Sequence, residues 1–403
     1  MTEPMIFGTH EAHTIKQLAD VASRAERVAL MADGHLGYIM PIGGVAAYRN
    51  KASVVGVGFD IACGNAAIMT DRFANEFSKQ EWQDLANTIQ RTVAFGVGRT
   101  NAEDDAPVDH PLFSDGAWDA IPGRGNRASL WQRAKNQLGT VGSGNHYVDI
   151  FKDTQDRVWV GVHFGSRGFG HTVASGFLAL GLGAEWGERV KEQEVLLDLD
   201  TPIGEAYWAL MELAGQYAYA GREWVARKVV SMLGGKELNL IHNHHNFAWK
   251  ETHGGEDFVI VRKGATPAFP GQQGFVGGSM GDDAVIVEGV ESAQSQAAMY
   301  STVHGAGRVM GRQDAKRGRA IRDADGKVTG RDESAKITRL MQNDWLQEKG
   351  VILRGGDVDE APQAYRRLPD VLAAQGATIK VVETLTPIVV VMAGHDVRDP
   401  YKD

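Results

Sequence analysis

The sequence has almost no cysteine and no long hydrophobic run, and both absences restrict what the protein can be. Cys63 is the only cysteine among 403 residues, so an internal disulfide is impossible and a reducing compartment is expected. The longest apolar run, residues 388–394, is far shorter than the roughly 20 residues of a transmembrane helix. Residues 1–7 lack the basic and apolar segments of a signal peptide. Together these absences predict a cytoplasmic protein.

The chain also lacks an overall excess of positive charge, because its formal net charge is −9. A basic balance would have suggested a nucleic-acid partner. The local exception is segment 307–322, in which a single acid, Asp314, stands against six cations: Arg308, Arg312, Lys316, Arg317, Arg319 and Arg322. This stretch fits either binding along a phosphate backbone or a solvated helix face, and its charge alone does not decide between them.

Glycine is abundant, with 49 residues, and it is concentrated in clusters between short β-rich runs. Such turns, without an evident repeat or linker, predict a single compact α+β domain spanning residues 1–403. We expect mixed and antiparallel sheets flanked by helices, with glycine-rich loops converging on a site. Residues 395–403 follow the last predicted strand as a C-terminal extension.

Hydrophobic periodicity and turn residues predict a coarse secondary structure. Predicted helices span residues 10–28, 172–194, 203–233, 333–348 and 359–374. Predicted strands span residues 53–57, 147–151, 157–164, 258–262, 284–287 and 388–392. The polar, turn-rich segment 101–125 is expected to be an exposed loop.

His304 begins the segment His304-Gly-Ala-Gly-Arg308, which has little side-chain bulk behind the imidazole. A backbone of this kind can approach a ligand closely, and Arg308 adds a fork of donors suited to phosphate. Imidazole is also a competent covalent nucleophile toward phosphorus. Taken alone, the segment is equally compatible with an ordinary glycine-rich turn, so its interpretation depends on the other histidines.

Four glycine-flanked segments carry candidate metal ligands, in each case Asp, Cys or His beside small residues. They are 56–64 with Asp60 and Cys63, 142–146 with Asn145 and His146, 162–168 with His163 and Arg167, and 243–246 with His244, His245 and Asn246. A lone histidine is usually a satisfied core group, but several histidines together with an aspartate and the only cysteine indicate a common site. Ligand softness alone favours zinc, and the sequence does not identify the metal. Two divalent cations beside a histidine and several arginines would suit phosphoryl chemistry.

A predicted hairpin offers a geometric reason for two of these histidines to meet. Strands 147–151 and 157–164 are joined by a polar turn, and antiparallel pairing about its middle places His146 opposite His163. Directly opposed residues have Cβ atoms roughly 4.5–5.5 Å apart, which allows two imidazoles to serve one site. A slip of one residue would put them on opposite faces.

Five motifs in this order make the chain resemble the RtcB-type RNA ligases over nearly its whole length. They are Gly58-Phe-Asp60-Ile-Ala-Cys63-Gly64, Gly142-Ser-Gly-Asn145-His146, His163-Phe-Gly-Ser-Arg167-Gly168, His244-His245-Asn246 with Arg262-Lys263-Gly-Ala-Thr266, and His304-Gly-Ala-Gly-Arg308. Members of that family join a 2′,3′-cyclic phosphate or 3′-phosphate RNA end to a 5′-hydroxyl in tRNA splicing and RNA repair. The resemblance also implies an archease-like activating partner.

The resemblance implies a role for each matching residue. His304 would take GMP from GTP as a covalent histidine–guanylate. Two Mn²⁺ ions would be held by Asp60, Cys63, His146, His163 and His245, with Cys63 bridging. The nucleotide would be bound by Asn145, Asp149, Asn246, Ser279, Gly305 and Tyr365. Phosphates of RNA or GTP would be bound by Arg167, Lys263 and Arg308.

The chain departs from the family pattern at positions that would recognise the base. Met392 or Ala393 stands where the family has a lysine, Asp149 replaces a glutamate, and Ala284 replaces a serine. None of the departures falls on His304 or on the implied metal ligands. They suggest a divergent member with an altered choice of nucleotide or RNA.

Two other functions are compatible with the same residues. A dinuclear metal phosphoesterase could open cyclic phosphates or hydrolyse RNA ends without joining them, and it would not need His304. A non-catalytic RNA-binding module could use the basic segment 307–322, but it would have no use for Asp60 and Cys63 in their present arrangement.

Overall fold

The protein is described here by a computed structural model that covers residues 3–322 and 328–397. The described residues form an α+β fold, as predicted. The α-helices are α1 (Ala12–Ala22), α2 (Val54–Val57), α3 (Lys79–Thr92), α4 (Arg124–Gln137), α5 (Arg167–Gly181), α6 (Pro202–Met232), α7 (Ala293–Ala297), α8 (Arg312–Arg317), α9 (Arg339–Lys349) and α10 (Leu368–Ala374). Short 3-10 helices cover Ala74–Glu76, Pro111–Ser114, Gly116–Ala120, Glu333–Ala335, Val358–Glu360 and Pro362–Ala364.

The strands of the described chain are short, except for the last one. They are β1 (Met5–Ile6), β2 (Arg27–His35), β3 (Ile42–Tyr48), β4 (Lys51–Ser53), β5 (Gly64–Phe73), β6 (Tyr147–Lys152), β7 (Arg157–Phe164), β8 (Leu196–Asp198), β9 (Glu237–His244), β10 (Asn246–His253), β11 (Glu256–Lys263), β12 (Ala265–Pro267), β13 (Gln273–Val276), β14 (Ala284–Gly289), β15 (Ser301–Val303), β16 (Arg319–Arg322), β17 (Val328–Asp332), β18 (Ile352–Arg354) and β19 (Ile379–Met392).

Two larger sheets organise the molecule. The first has the order β1-β2-β3-β11-β10, and the second has the order β13-β14-β19-β6-β7-β5-β9, with β18 pairing alongside β19. Most neighbours are antiparallel, and the pairs β1–β2 and β18–β19 are parallel. The chain passes directly from the second sheet to the first between β9 and β10, so residue 245 lies where the two sheets meet.

Hydrophobic clusters cover both sides of the second sheet. One face of β6 and β7 presents Val148, Ile150, Val160 and Val162, which pack with Val225 and Val229 of the long helix α6. The opposite face presents aromatic residues, among them Phe151 and Trp159, which pack against Phe275. Because both faces are covered, the ends of the central strands are held firmly and can position side chains.

Several predicted helices are wrong at one end, because glycine, proline or a buried strand overrides local propensity. The first helix ends at Ala22 and not at residue 28, since Arg27 already begins the buried strand β2. Segment 172–194 is helical only to Gly181, and Gly183 follows with a φ of 78°. Segment 359–374 forms two 3-10 turns before α10, and segment 333–348 becomes α-helical only from Arg339.

Two local predictions fail for identifiable reasons. Segment 53–57 is not a strand: Ser53 accepts a hydrogen bond from the Gly56 amide, and residues 54–57 form a helical turn. The polar segment 101–125, predicted to be a loop, is largely loop with two 3-10 turns. Its last two residues, however, already belong to helix α4, which starts at Arg124. That helix was not predicted because few of its side chains are buried, so it shows no apolar stripe.

The predicted hairpin forms, but its register differs by one residue from the prediction. Tyr147, and not His146, lies opposite His163. The connection between the strands includes Asp156 with a left-handed φ of 65°, so the turn is not symmetric about its middle. His146 lies just before the first residue of β6, so the alternation of side chains within the strand does not apply to it. Its side chain can therefore reach the same side as that of His163.

Within residues 3–322 and 328–397, no helix is long and apolar enough to cross a membrane. Of the predicted C-terminal extension 395–403, only residues 395–397 are described, and residues 398–403 lie outside the described chain.

Candidate metal and phosphoryl-transfer site

The site is built from the ends of four adjacent strands of the second sheet. Cys63 immediately precedes β5, His146 immediately precedes β6, His163 is the penultimate residue of β7, and His245 immediately follows β9. The sheet order β6-β7-β5-β9 and the pairing of Gly64 with both Phe164 and His244 bring these ends together. Distant segments of sequence therefore present their side chains at one corner.

The five predicted metal ligands form a continuous chain of contacts. The Asp60 Oδ2 atom lies 3.1 Å from His146 Nε2. The Cys63 Sγ atom lies 3.5 Å from His146 Nε2 and 3.3 Å from His163 Nε2. The His163 Nε2 atom in turn lies 3.4 Å from His245 Nε2. The sulfur is therefore in the middle, with Asp60 and His146 on one side and His163 and His245 on the other.

These separations fit metal coordination. Ligand atoms bound to one cation at about 2.0–2.3 Å lie roughly 3–4 Å from one another, as the atoms do here. Cys63, His146 and His163 could hold one ion, since their ligand atoms all lie within 4.8 Å of one another. Two imidazole Nε2 atoms at 3.4 Å cannot both offer lone pairs to each other, whereas a cation between them accepts both. A thiolate, a carboxylate and three imidazoles form a suitable donor set for divalent ions.

Contacts behind the ligands orient the imidazole rings. The Nδ1 atom of His163 lies 2.9 Å from the Asn145 carbonyl oxygen, which directs the Nε2 lone pair toward Cys63. The Nδ1 atom of His146 lies 3.4 Å from the Arg167 guanidinium. Glycines make room for this packing: a Cβ at Gly142 would lie 2.0 Å from His146 Nδ1, and one at Gly165 would lie 2.2 Å from Asp60 Oδ1.

The protonation of the cluster is set by burial and by neighbouring charges. Burial, together with the charge of His146, lowers the pKa of His163 to about 3, so this imidazole is neutral and able to bind a metal. Burial opposes ionisation of Asp60, but the hydrogen bond and charge of His146 and the charge of Arg167 hold the pKa of Asp60 at about 2. Burial raises the pKa of the Cys63 thiol, which a bound cation would reverse.

His304 lies beside this cluster, with its ring centre 4.9 Å from that of His245. Its Nδ1 atom is 2.6 Å from the Oδ2 atom of Asp33, a side chain with no solvent exposure. The same oxygen accepts hydrogen bonds from the amides of His304 at 3.0 Å and Gly305 at 3.3 Å. One buried carboxylate oxygen therefore holds the backbone at His304 and lies against the Nδ1 atom of its ring, which leaves Nε2 as the nitrogen that can react.

The predicted phosphate-binding residues Arg167 and Lys263 lie at the edge of the cluster. Arg167 has a φ of 57° at the start of α5, and its guanidinium reaches toward His146 and the carbonyl of Gly96. The Lys263 ammonium donates to the Val55 carbonyl, and burial lowers the pKa of this lysine to about 8. Lys263 also approaches the ring of Tyr38, whose exposed fraction is 43%.

Asn246 braces the site through contacts within the protein. Its side-chain oxygen accepts from the Gly264 amide at 2.7 Å, and its side-chain nitrogen donates to the Asp60 carbonyl at 3.4 Å. Both amide atoms therefore connect loops that carry other site residues. Its predicted contact with a nucleotide stays a prediction.

Part of the basic segment 307–322 faces an acidic segment of the same chain. Arg308 donates to Glu360 at 3.2 Å and to the hydroxyl of Tyr365 at 2.8 Å. Arg312 forms ion pairs with Asp359 and Glu360, and Lys316 pairs with Asp357. The hypothesis of a free basic surface is therefore wrong for these three cations, while nothing is described of the Arg322 side chain.

Asp149, Ser279 and Gly305 were also predicted to bind the nucleotide, and their described surroundings lie within the protein. Asp149 lies on β6, two residues after Tyr147, with one carboxylate oxygen that has no hydrogen-bond partner among the described residues, and burial raises its pKa well above the usual range. Met392 pairs with Tyr147 at the end of β19. Ser279 donates to Asp282, and Gly305 pairs with Gly277 in the neighbouring loop.

Two residues at the site were not predicted from the sequence. Asp33 lies in the segment Met31-Ala-Asp33-Gly-His35, for which no role was predicted. Arg222 lies in α6 and contacts residues next to three of the predicted metal ligands. A signal for Arg222 exists, because it falls on the buried stripe of α6 with Ala218, Val225 and Val229.

Comparisons with known proteins agree with the motifs. A family model described as tRNA-splicing ligase RtcB matches residues 14–393. The chain is 30% identical to the RNA-splicing ligase RtcB of Escherichia coli (strain K12) over 406 residues, which cover 94% of each chain. It is 29% identical to the tRNA-splicing ligase RtcB of Thermococcus kodakarensis, covering 92% of this chain and 88% of that protein. The RNA-splicing ligase RtcB of Mycobacterium tuberculosis is 28% identical, covering 89% of this chain and 95% of the relative.

Proposed function

Because the chain belongs to the RtcB family of tRNA-splicing ligases, we propose that it joins a 2′,3′-cyclic phosphate or 3′-phosphate RNA end to a 5′-hydroxyl end. The proposed reaction uses GTP and two Mn²⁺ ions and passes through a covalent histidine–GMP intermediate. The observation that carries this proposal is the pair His304–Asp33, at 2.6 Å, beside a cluster of metal-binding side chains. An acceptor beside Nδ1 favours a proton on that nitrogen and a lone pair on Nε2, which a nucleophilic imidazole needs.

In the first step, His304 Nε2 attacks the α-phosphorus of GTP. A nitrogen–phosphorus bond forms, the bond between the α-phosphorus and the bridging oxygen breaks, and pyrophosphate leaves with the bonding electrons. The proton on Nδ1 stays in its contact with Asp33, which stabilises the positive charge that develops on the ring.

In the later steps, RNA receives and then releases the nucleotide. Water opens a cyclic phosphate to a 3′-phosphate, whose oxygen attacks the phosphorus of the histidine–GMP and breaks the nitrogen–phosphorus bond. The 5′-hydroxyl oxygen then attacks the activated 3′-phosphorus, loses its proton to solvent, and displaces GMP. Each displacement exchanges one bond at phosphorus for another, so no oxidant or reductant is needed.

The chain offers ligands for two ions that share one sulfur. Asp60 and His146 would hold one ion and His163 and His245 the other, with Cys63 between them. When bound, the ions stabilise negative charge on phosphoryl oxygens. The neutral state of His163 and the ionised state of Asp60 support this assignment.

Polar and aromatic groups around the cluster support binding of a nucleotide and of RNA. We assign the nucleotide to Asn145, Asp149, Asn246, Ser279, Gly305 and Tyr365, and phosphates to Arg167, Lys263 and Arg308. To bind a phosphate, Arg308 would exchange its ion pair with Glu360 for the phosphate oxygen. Tyr38 approaches Lys263, and its ring centre is 6.1 Å from that of Phe59, the residue before Asp60. We assign stacking on an RNA base to these two rings. An archease-like activator and a cytoplasmic location stay predictions.

The test is to incubate the purified protein with GTP and Mn²⁺ and to measure its intact mass. We expect the added mass of one GMP in the wild type and none in His304→Ala. The two proteins are then given RNA with 3′-phosphate and 5′-hydroxyl ends, and joining is followed on gels. Absence of an adduct with every nucleotide tested would contradict the proposal. Cyclic-phosphate hydrolysis that survives in His304→Ala, without joining by the wild type, would favour a phosphoesterase.

A further inference from the structure

Arg222 is a fully buried cation in the middle of α6, and among the described residues none of its hydrogen-bond partners is a carboxylate. Its exposed fraction is 0%. The guanidinium donates to the carbonyls of Ala62 at 2.9 Å and Phe164 at 2.5 Å. It also contacts the Nε2 atom of His242 and the Nδ1 atom of His244, each at 2.8 Å. The planar group thus ties four separate points together.

Three of these four points are next to predicted metal ligands. Ala62 directly precedes Cys63, Phe164 directly follows His163, and His244 directly precedes His245. The three contacts lie on the loop before β5, the end of β7 and the end of β9. Arg222 therefore lies behind the cluster. Each of its three contacts is with the sequence neighbour of a predicted ligand: Cys63 in the middle, and His163 and His245 on one side.

The chemistry of arginine suits this place. A guanidinium has donors in a rigid plane, so its partners are held in fixed directions relative to one another. Burying a cation is costly unless hydrogen bonds and opposite charge compensate it. Here carbonyls and neutral imidazoles supply the hydrogen bonds, and the negative charge available nearby is that of Asp60, of Glu223 and of a metal-bound Cys63. Burial lowers the pKa of Arg222 to about 10, which still leaves it charged at neutral pH.

The imidazoles that receive Arg222 are themselves fixed. Tyr219 stacks on His244 with ring centres 3.9 Å apart and an interplanar angle of 24°. His242 lies 3.6 Å from Glu223 through its Nδ1 atom, so its Nε2 atom can accept from Arg222. The orientation of His244, and with it the backbone leading to His245, is therefore set by α6.

We infer that Arg222 is a positioning residue for the metal centre: it holds Cys63, His163 and His245 at binding distances through their neighbours Ala62, Phe164 and His244. This inference rests on the proposed function, because it assumes that the cluster binds divalent ions. Arg222 itself touches neither the ions nor the substrates. Its removal should weaken metal binding beyond any loss of general stability.

The test compares Arg222→Lys with Arg262→Lys, since both arginines are fully buried. Arg262 pairs with Glu251 and contacts Ser301 and Met299, and none of these adjoins a predicted metal ligand. Mn²⁺ affinity of the metal-free proteins is measured by calorimetry, Co²⁺ binding by its thiolate absorption band, and thermal unfolding in chelator. We expect about 10- to 100-fold weaker Mn²⁺ binding and an altered Co²⁺ band for Arg222→Lys, as for other residues that orient metal ligands.

For Arg262→Lys we expect lower thermal stability but Mn²⁺ affinity within about twofold of the wild type, because substitutions at sites that do not interact change each other's free energies by only a few tenths of a kcal/mol. Equal losses of affinity in the two variants at equal losses of stability would overturn the inference. If Arg222→Lys does not fold, Tyr219→Leu loosens the stack on His244 while keeping the cation, and unchanged Mn²⁺ affinity in that variant would also overturn it. A wild type that binds no divalent ion would instead refute the metal-dependent function, and the inference with it.

Discussion

The contact between Asp33 and His304 makes the replacement Asp33→Asn the most direct test of the proposed chemistry. Asparagine keeps the volume of the side chain, so the buried site is not emptied. It presents either an amide oxygen without negative charge or an N–H group to the imidazole. In the proposed mechanism, the carboxylate 2.6 Å from Nδ1 favours the tautomer that has its proton on Nδ1 and its lone pair on Nε2. In the variant, the N–H orientation would favour the opposite tautomer, in which Nε2 is protonated and cannot attack.

The expected loss of rate in Asp33→Asn is large because the Oδ2 atom of Asp33 makes several contacts at once. The Asp33 Oδ2 atom receives the imidazole at 2.6 Å and two backbone amides at 3.0 and 3.3 Å, with no solvent exposure to compensate their loss. In the serine protease triad, an equivalent aspartate-to-asparagine change lowers turnover by about 10⁴-fold through the wrong tautomer. We expect a fall of roughly 10³- to 10⁴-fold in the rate of adduct formation, or about 4–5.5 kcal/mol in activation free energy.

The assay is single-turnover formation of the GMP adduct from labelled GTP. The adduct should be acid-labile and stable to base, as expected for a nitrogen–phosphorus bond. Asp153→Asn is a matched control, because Asp153 is also buried but accepts hydrogen bonds from Trp159 and from a turn away from the site. Thermal unfolding shows whether each variant is folded. A folded Asp33→Asn protein that forms the adduct within tenfold of the wild-type rate would refute the role of Asp33.

Two further predictions concern RNA binding. Since burial lowers the pKa of Lys263 to about 8, this lysine loses its charge as the pH rises through 8. RNA affinity should therefore fall by roughly tenfold between pH 7 and 9, because one charge-assisted hydrogen bond to a phosphate is lost. The Lys263→Arg variant should show a flatter profile in fluorescence anisotropy, and equal slopes for the two proteins would contradict the assignment. Replacing Tyr38 by alanine should cost about 1–3 kcal/mol of single-stranded RNA binding, whereas phenylalanine should retain it. Identical affinities for the alanine and phenylalanine variants would exclude a stacking role.

The location of the site could be predicted from the sequence because its chemistry is concentrated in short glycine-flanked segments. Cys63, His146 and His163 do lie together, as those segments suggested. The detailed pairing could not be predicted, since the hairpin turn contains Asp156 in a left-handed conformation and shifts the register by one residue. The histidines meet because His146 precedes its strand, and not because the predicted pairing was correct.

Long-range partners were beyond sequence reasoning for a different reason. Asp33 and His304 are separated by 271 residues, and their contact depends on how β2 and β15 are arranged around the first sheet. Arg222 is 160 residues from Ala62, and only the packing of α6 on the second sheet brings them together. The predicted helix ends were wrong where Gly183 or a following buried strand interrupted a helical pattern of apolar residues. Local propensity could not show this, because it contains no information on tertiary pairing.

Because of the carboxylates in segment 357–360, the number of lysines and arginines in segment 307–322 overestimates how strongly RNA binding should depend on salt. Arg308, Arg312 and Lys316 are neutralised within the chain, so they release few condensed counterions when a polyanion binds. Each phosphate contact contributes about 0.7 to the slope of log affinity against log salt concentration for a single strand. The ionic-strength dependence should therefore be shallower by about 2 than the composition of this stretch suggests, and discrimination among RNAs will depend correspondingly less on bulk electrostatics.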